Sequence, residues 1–387
     1  MKTILYLAPG VFDKGGISRY CRYQIRALRE ILGEPAVSVL SLAPPDARGF
    51  EEPFAVDFAS FGPSLTGKSM FSAAALAEAL ASRPRVVWCA HVGIAPLAVT
   101  LARAIGATSV LNVYGMEVWT ALHRVRAASL RRSDWVVSDC HNTRDYVVEH
   151  GLHGASRLLV HWDCVDLQRF SPGDPGDVLA RYGVSSSFAG TTVLTLGRLC
   201  PGARYKGYDR LIDVMARLPA AVPVRLIIAG DGPLRAELTE QAARLGVADR
   251  VFFTGSIREE DLPAIYRSCD VFSLITHAGP GAGEGIPLTP LEAAACGKPI
   301  LVGDRDGSRE AAADGVSGFV LPPFDLAAIA ARIVELAQDP GLRARLGAAA
   351  RARIEREHGY ERFRERVRSL VGEMGFSSAP AAMASAR

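Results

Sequence analysis

The stretch Ser273-Leu-Ile-Thr-His-Ala-Gly-Pro-Gly-Ala-Gly-Glu-Gly-Ile-Pro-Leu-Thr-Pro-Leu-Glu-Ala-Ala-Ala-Cys-Gly-Lys-Pro299 decides the fold. The apolar run over residues 271–275 reads as a buried strand. A loop carrying Gly279, Gly281, Gly283 and Gly285 follows. The spacing then predicts a short helix that starts near Pro290 and stops at Gly297, with Pro299 enforcing the stop. The loop therefore lies at the carboxyl end of a strand and the amino end of a helix. In open α/β sheets ligands bind there, anions in particular. Two carboxylates, Glu284 and Glu292, bracket the turn. Glu292 has a second reading, because Thr289-Pro290-Leu291-Glu292 fits the capping pattern Ser/Thr-x-x-Glu with Pro at the first helical position. Glu284, a loop glutamate among glycines, has no capping duty.

Working outward, the second half alternates strand and helix from residue 192 onward. Residues 193–196 read as a strand ending at Gly197-Arg198-Leu199, and a loop leads to Lys206-Gly207 and a helix over 208–218. Strands are predicted over 225–229, 251–254 and 299–303. Helices are predicted over 234–245, 262–269, 326–338 and from 341 onward. Arg198 and Lys206 share one strand end. A planar guanidinium fork and a compact ammonium there suit a diphosphate, although two surface cations would look the same.

The first half alternates too. Residues 3–8, 36–41, 85–90, 109–114 and 135–138 read as strands, with helices over 69–82 and 143–150. This pattern argues for parallel sheets covered by helices on both faces. Gly15 and Gly16 sit between the first strand and a helix, a geometry that favours phosphate through free backbone N–H groups. It is not a dinucleotide fingerprint, since the third glycine of G-x-G-x-x-G is missing. An ordinary strand-to-helix turn has the same look. His91 follows a strand end, where a lone histidine is more often a hydrogen-bonded structural residue.

Composition sets the outer bounds. A chain of 387 residues is comfortable for two domains. With 49% hydrophobic and 22% charged residues it belongs to the soluble globular class. A net charge of +3 is too mild to argue for nucleic acid. Seven cysteines without short paired spacing suggest reduced thiols. No segment reads as a signal peptide or a membrane span, so a cytoplasmic, non-integral protein is expected. His123-Arg-Val-Arg126 and Arg131-Arg132 form a basic patch, either a solvated helix face or a peripheral contact with anionic membrane. Residues 374–387, small and Ala/Ser-rich, are expected to be a disordered tail.

The opening stretch resembles the donor-binding motif of retaining glycosyltransferases of the family 4 type. Glu284, Gly285, Leu288, Glu292, Ala293, Gly297 and Pro299 fall in the family's places. Gly197-Arg198-Leu199 with Lys206-Gly207, Val165-Asp166 with Phe170 and Pro172, and Gly315-Val-Ser-Gly-Phe319 continue the resemblance across residues 1–373. It implies the GT-B fold: two doubly wound Rossmann-like domains facing across a cleft. An acceptor-side domain over 1–170 and a donor domain over 171–357 are expected, with a helix at about 358–373 packing back on the first.

The implied activity moves a sugar from a UDP- or GDP-linked donor to an acceptor hydroxyl with retention, in surface polysaccharide or glycolipid synthesis. The implied catalytic residues are Glu284, Arg198 and Lys206. Gly15, Gly16, Tyr114, Ile257, Gly285, Ile286, Pro287, Leu288 and Glu292 would bind the donor. No metal and no further cofactor is implied. Tyr114 is a departure, since relatives carry a histidine there and Tyr, with a pKa near 10, shuttles no proton easily at neutral pH. Pro287 departs as well, because it offers no N–H where relatives have Gly. Two alternatives stay open: a sugar-nucleotide epimerase on the same scaffold, and a non-catalytic nucleotide-sugar binder.

Overall fold

The computed structural model describes residues 3–13, 15–44, 58–279 and 281–376. The chain divides into two compact units, Met1–Cys164 with Tyr360–Arg387, and Val165–Gly359.

The first unit is built on seven parallel strands: β1 (Ile4–Ala8), β2 (Val37–Ser41), β3 (Phe58–Ser60), β4 (Val86–Cys89), β5 (Thr108–Val113), β6 (Trp135–Ser138) and β7 (Leu158–Val160). Their order in the sheet is β3-β2-β1-β4-β5-β6-β7. All five residues of β1 are buried, as a parallel sheet covered on both faces requires. The helices are α1 (Gly16–Leu32), α2 (Leu65–Ser82), α3 (Ala95–Ile105), α4 (Met116–Trp119), α5 (Arg124–Arg132) and α6 (His141–Glu149). Helices α2, α3 and α5 pack on one face through Phe71, Ala75, Ala98, Leu101 and Leu130. Helix α1 covers the other through Tyr20, Ile25 and Leu28.

The second unit has six parallel strands: β8 (Thr191–Leu196), β9 (Val224–Ala229), β10 (Val251–Gly255), β11 (Val271–Leu274), β12 (Ile300–Gly303) and β13 (Gly318–Leu321). The order is β10-β9-β8-β11-β12-β13, so chain direction across the sheet reverses between β8 and β11. Its helices are α7 (Tyr208–Met215), α8 (Leu234–Arg244), α9 (Leu262–Arg267), α10 (Leu288–Ala295), α11 (Leu326–Gln338) and α12 (Pro340–Glu357). The ends of β8 and β9 approach so closely that a Cβ on Gly230 would fall 1.9 Å from the Gly197 carbonyl oxygen, at a backbone φ of +136°. Only glycine fits there.

The last described helix, α13 (Tyr360–Glu373), belongs to the first unit and lies against α1. Phe363 packs edge-on against Tyr20 at 5.5 Å, and the Arg26 guanidinium lies 4.2 Å over the Tyr360 ring. His161, fully buried, joins the two helices: the Tyr20 hydroxyl donates to its Nδ1 at 2.6 Å, and its Nε2 donates to the Phe363 carbonyl at 3.1 Å. The expected disordered tail falls largely on 377–387, outside the described residues.

Both units are thus doubly wound α/β sheets, the class expected from the alternation. The structure adds β3, β7, β13, α3 and α4 to the elements read from the sequence. It also moves several boundaries, and one of them bears on the site. Helix α10 begins at Leu288, with Pro287 as its cap and no side-chain capping bond. Thr289 lies inside the helix with its hydroxyl buried and unpartnered, so the capping-box reading of Glu292 fails.

Candidate functional site

The reversal between β8 and β11 opens a crevice at the strands' carboxyl ends, because the loops leaving the two strands turn to opposite faces. The loop after β8 carries Arg198 and then a 3-10 turn, Pro201–Lys206. The loop after β11 carries Glu284. These groups lie far apart in sequence and meet because β8 and β11 are paired in the sheet.

Lys206 and Glu284 form a salt bridge at 2.5 Å, with side chains 14% and 20% exposed. The Tyr205 hydroxyl donates to the same Glu284 oxygen at 3.0 Å. The Lys206 stem packs against Gly197, where an added Cβ would lie 3.4 Å from its Cδ. Tyr208, at the start of α7, turns its hydroxyl toward the same glycine, within 2.4 Å of that Cβ position. The phenol is buried, unpartnered and shifted well upward by burial and then by the Glu284 charge, while Arg198 acts in the opposite direction. Arg198 itself is exposed and carries no ion pair among the described residues. Two of the four expected charged groups, Lys206 and Glu284, are therefore in contact, and Arg198 lies in the same loop as Lys206 and bears electrostatically on the Tyr208 phenol. The signs fit an anion beside a polar ring: cations for phosphate and a carboxylate for hydroxyls.

The Glu284 loop is held from below by a residue not singled out from sequence. Asp306, after β12, is fully buried and accepts the Glu284 main-chain N–H at 2.9 Å. Burial pushes its pKa up to about 6, against the hydrogen bonds it accepts. A polar Asp-Arg-Asp-Gly-Ser run reads as an ordinary turn, so only its spacing from the strand end could have pointed to it.

Glu292 lies in the second turn of α10, 3% exposed, and accepts the Tyr266 hydroxyl of α9 at 2.7 Å. Gly285, Ile286 and Pro287 are buried between Glu284 and α10, and Leu288 opens the helix. Ile257 follows β10, two strands away from β8 on the far side from β11.

In the first unit Gly15 caps α1 at a φ of +143°, and Gly16 is the first helical residue. His91 has a structural duty, its Nδ1 accepting the Gly93 N–H at 3.0 Å. Tyr114 does not project from its strand end. It is buried against Tyr20, and its hydroxyl accepts from Asn112 Nδ2 at 3.1 Å inside the core. Tyr114 lies on the same face of β5 as Val110 and Asn112, the face covered by α1.

The family model for glycosyl transferases group 1 matches residues 190–353, which hold this cluster. The chain is 36% identical over 272 residues to the GDP-mannose-dependent alpha-(1-6)-phosphatidylinositol monomannoside mannosyltransferase of Mycolicibacterium smegmatis, spanning 66% of this chain and 69% of that one. It is 32% identical over 289 residues to the corresponding monoacylated-substrate enzyme of Corynebacterium glutamicum, spanning 72% and 74%. Among solved structures, Anabaena Alr3699/HepE in complex with UDP superposes with a TM-score of 0.79 over 96% of this chain and 100% of that one, at 21% identity. Sucrose-phosphate synthase from Thermosynechococcus elongatus gives 0.76 over 97% and 100%, at 19% identity. On the two mannosyltransferases' identity and coverage, the chain belongs to the glycosyl transferases group 1 family, as a retaining glycosyltransferase of the family 4 type with the GT-B fold.

Proposed function

We propose that the enzyme transfers a mannosyl residue from GDP-mannose to a hydroxyl of an inositol-containing phospholipid. The observation that carries this is the joined cluster of Lys206, Tyr205 and Glu284 at the β8/β11 reversal, with Arg198 in the same loop as Lys206, in a chain whose curated relatives use GDP-mannose. As the bond from the anomeric carbon to the β-phosphate oxygen breaks, negative charge grows on that oxygen. Lys206 and Arg198 meet it. Glu284 accepts from hydroxyls of the sugar, while the N–H groups of Gly285 and Ile286 orient it. The acceptor hydroxyl attacks on the face the diphosphate leaves, and its proton passes to the departing phosphate oxygen. Ile257 sits beside the base. Gly15 and Gly16 serve a phosphate or the acceptor through the amino end of α1. A thermal-shift panel of nucleotide sugars, followed by product analysis with phosphatidylinositol and its mannosides, tests the assignment. Stabilisation and turnover with GDP-mannose are expected, and turnover with UDP-sugars alone would overturn the donor.

Glu292 is the proposed ribose ligand, its carboxylate set by Tyr266. Glu292→Gln keeps an oxygen able to accept the Tyr266 hydroxyl, so stability should change by no more than about 1 kcal/mol. Donor affinity should fall about tenfold, as for one charge-assisted hydrogen bond. Calorimetric titration with GDP and a melting curve separate the two effects. A lower melting point with unchanged affinity would leave Glu292 a purely structural role.

A peripheral membrane site fits such an acceptor. Among the described residues no helix is long and apolar enough to cross a bilayer. On the layer formed by α2, α3 and α5, however, Leu65, Met70, Leu76 and Leu80 are exposed. Lys68, Arg103, Arg124, Arg126, Arg131 and Arg132 are exposed on the same helices. The acid in these helices, Glu78, accepts from Ser38 at 2.9 Å. Exposed apolar side chains on α2 and exposed cations on α5, in one helical layer, suit an anionic lipid surface. Leu76→Glu with Leu80→Glu should abolish co-sedimentation with phosphatidylserine vesicles while leaving donor hydrolysis in solution intact. Undiminished sedimentation would discard this surface.

A further inference from the structure

Asp306 enters none of the steps above, yet it is built into the Glu284 loop from two directions. One carboxylate oxygen accepts the Glu284 N–H at 2.9 Å. The other accepts the Thr276 hydroxyl at 2.9 Å and the Ser308 N–H at 3.0 Å. The Thr276 and Ser308 hydroxyls are themselves 2.7 Å apart. The next residue, Gly307, donates its N–H back to the Glu284 carbonyl at 2.9 Å. Both main-chain polar groups of Glu284 are thus tied to the Asp306-Gly307 dipeptide, while its side chain reaches Lys206 and Tyr205. A water molecule could satisfy a loop N–H without the desolvation penalty of a buried carboxylate. What the carboxylate adds is a fixed direction for the residue it holds.

We infer that Asp306 is the positioning residue for Glu284, clamping its main chain so that its side chain points at Lys206 and at the transferred sugar. The inference rests on the proposed place of Glu284 in the donor site. Asparagine cannot reproduce the clamp. Asp306 is surrounded by donors, from Glu284, Ser308 and Thr276, and either rotamer of an amide sets an N–H against one of them. Protonation does the same. Since burial raises the Asp306 pKa to about 6, the acceptor set is complete above that pH and lost below it. The ionisable groups facing it are Glu284 and the Tyr205 phenol, with Lys206 beyond Glu284.

The test is a double-mutant cycle on the full chain, reading sugar-nucleotide turnover and GDP affinity. Asp306→Asn should lower kcat about 30-fold, within the range for a misplaced polar contact, with GDP affinity changed less than about threefold. In a Glu284→Ala background the same change should cost less than about twofold, because nothing is left to position. The wild type should lose turnover below pH 6, and Asp306→Asn should lack that limb. Thr276→Val, a milder loosening of the clamp, should cost about fivefold and be equally silent without Glu284; it serves if Asp306→Asn does not fold. Unchanged kcat in Asp306→Asn, or a full multiplicative loss in the Glu284→Ala background, overturns the inference. Near-normal turnover in Glu284→Ala alone would instead overturn the donor-site assignment on which it stands.

Discussion

Replacing Lys206 with Ala is expected to lower kcat by more than tenfold, on the order of 100-fold, which is the usual loss for one group that stabilises charge developing in a transition state. Lys206 is half-buried, its stem lies along Gly197, and its ammonium is 2.5 Å from Glu284. Arg198 cannot replace it, since it is exposed earlier in the same loop after β8 and its charge is better screened by solvent. Lys206→Arg is not conservative either, because a planar fork cannot occupy a slot shaped for a single point charge. The loss should appear in kcat rather than in KM, as the contact strengthens only when the leaving oxygen gains charge. Initial rates at saturating donor measure it, with a melting curve as control. A rate within threefold of wild type would remove Lys206 from the chemistry.

Much of this arrangement is legible in the sequence, for a reason that also sets its limits. A strand buried on both faces is a continuous apolar run, so β1, β9 and β11 stand out. Short strands do not. Gly318–Leu321 begins within a glycine-flanked turn and reads as part of it, and Phe58–Ser60 is too brief to show a period. Arg198, Lys206 and Glu284 are identifiable because each follows a strand end, where ligands bind whatever the chemistry. Their convergence is not legible, since it depends on β8 and β11 being neighbours, a property of strand order and not of any local motif. Tyr114 shows the same limit from the other side. In a sheet covered on both faces, hydropathy does not say which way a strand-end residue points, and its neighbour Asn112, fully buried, decides that it turns inward. The Glu292 capping pattern misleads because the helix begins at Leu288, before Thr289, so the Thr-x-x-Glu spacing falls inside it.

Ending the chain after Gly359 is expected to unfold the first unit. Helix α13 supplies Phe363, Val367, Leu370 and Val371, all no more than 4% exposed. At roughly 1.5–3 kcal/mol for each buried apolar side chain, their loss approaches the entire stability of a typical domain. The second unit, Val165–Gly359, keeps all its strands in such a chain and should still melt cooperatively. A finer version isolates His161. Burial pushes its pKa from 6.5 down to about 3, so the folded state holds it neutral between Tyr20 and the Phe363 carbonyl. The unfolded chain binds a proton below pH 6.5 that the folded unit refuses. The stability contribution is therefore complete above pH 6.5 and is lost as the pH falls toward 3, by roughly 2–3 kcal/mol at pH 4.5. Asp306 in the second unit has the opposite sign: its raised pKa makes the folded state the better proton acceptor, so acidification through pH 6 favours that unit. Melting followed at pH 7 and pH 4.5 should show the first unit losing ground to the second, and His161→Gln, which cannot titrate, should flatten the first unit's slope. An unchanged slope in His161→Gln would mean that the neutral imidazole is not what ties α13 down in acid.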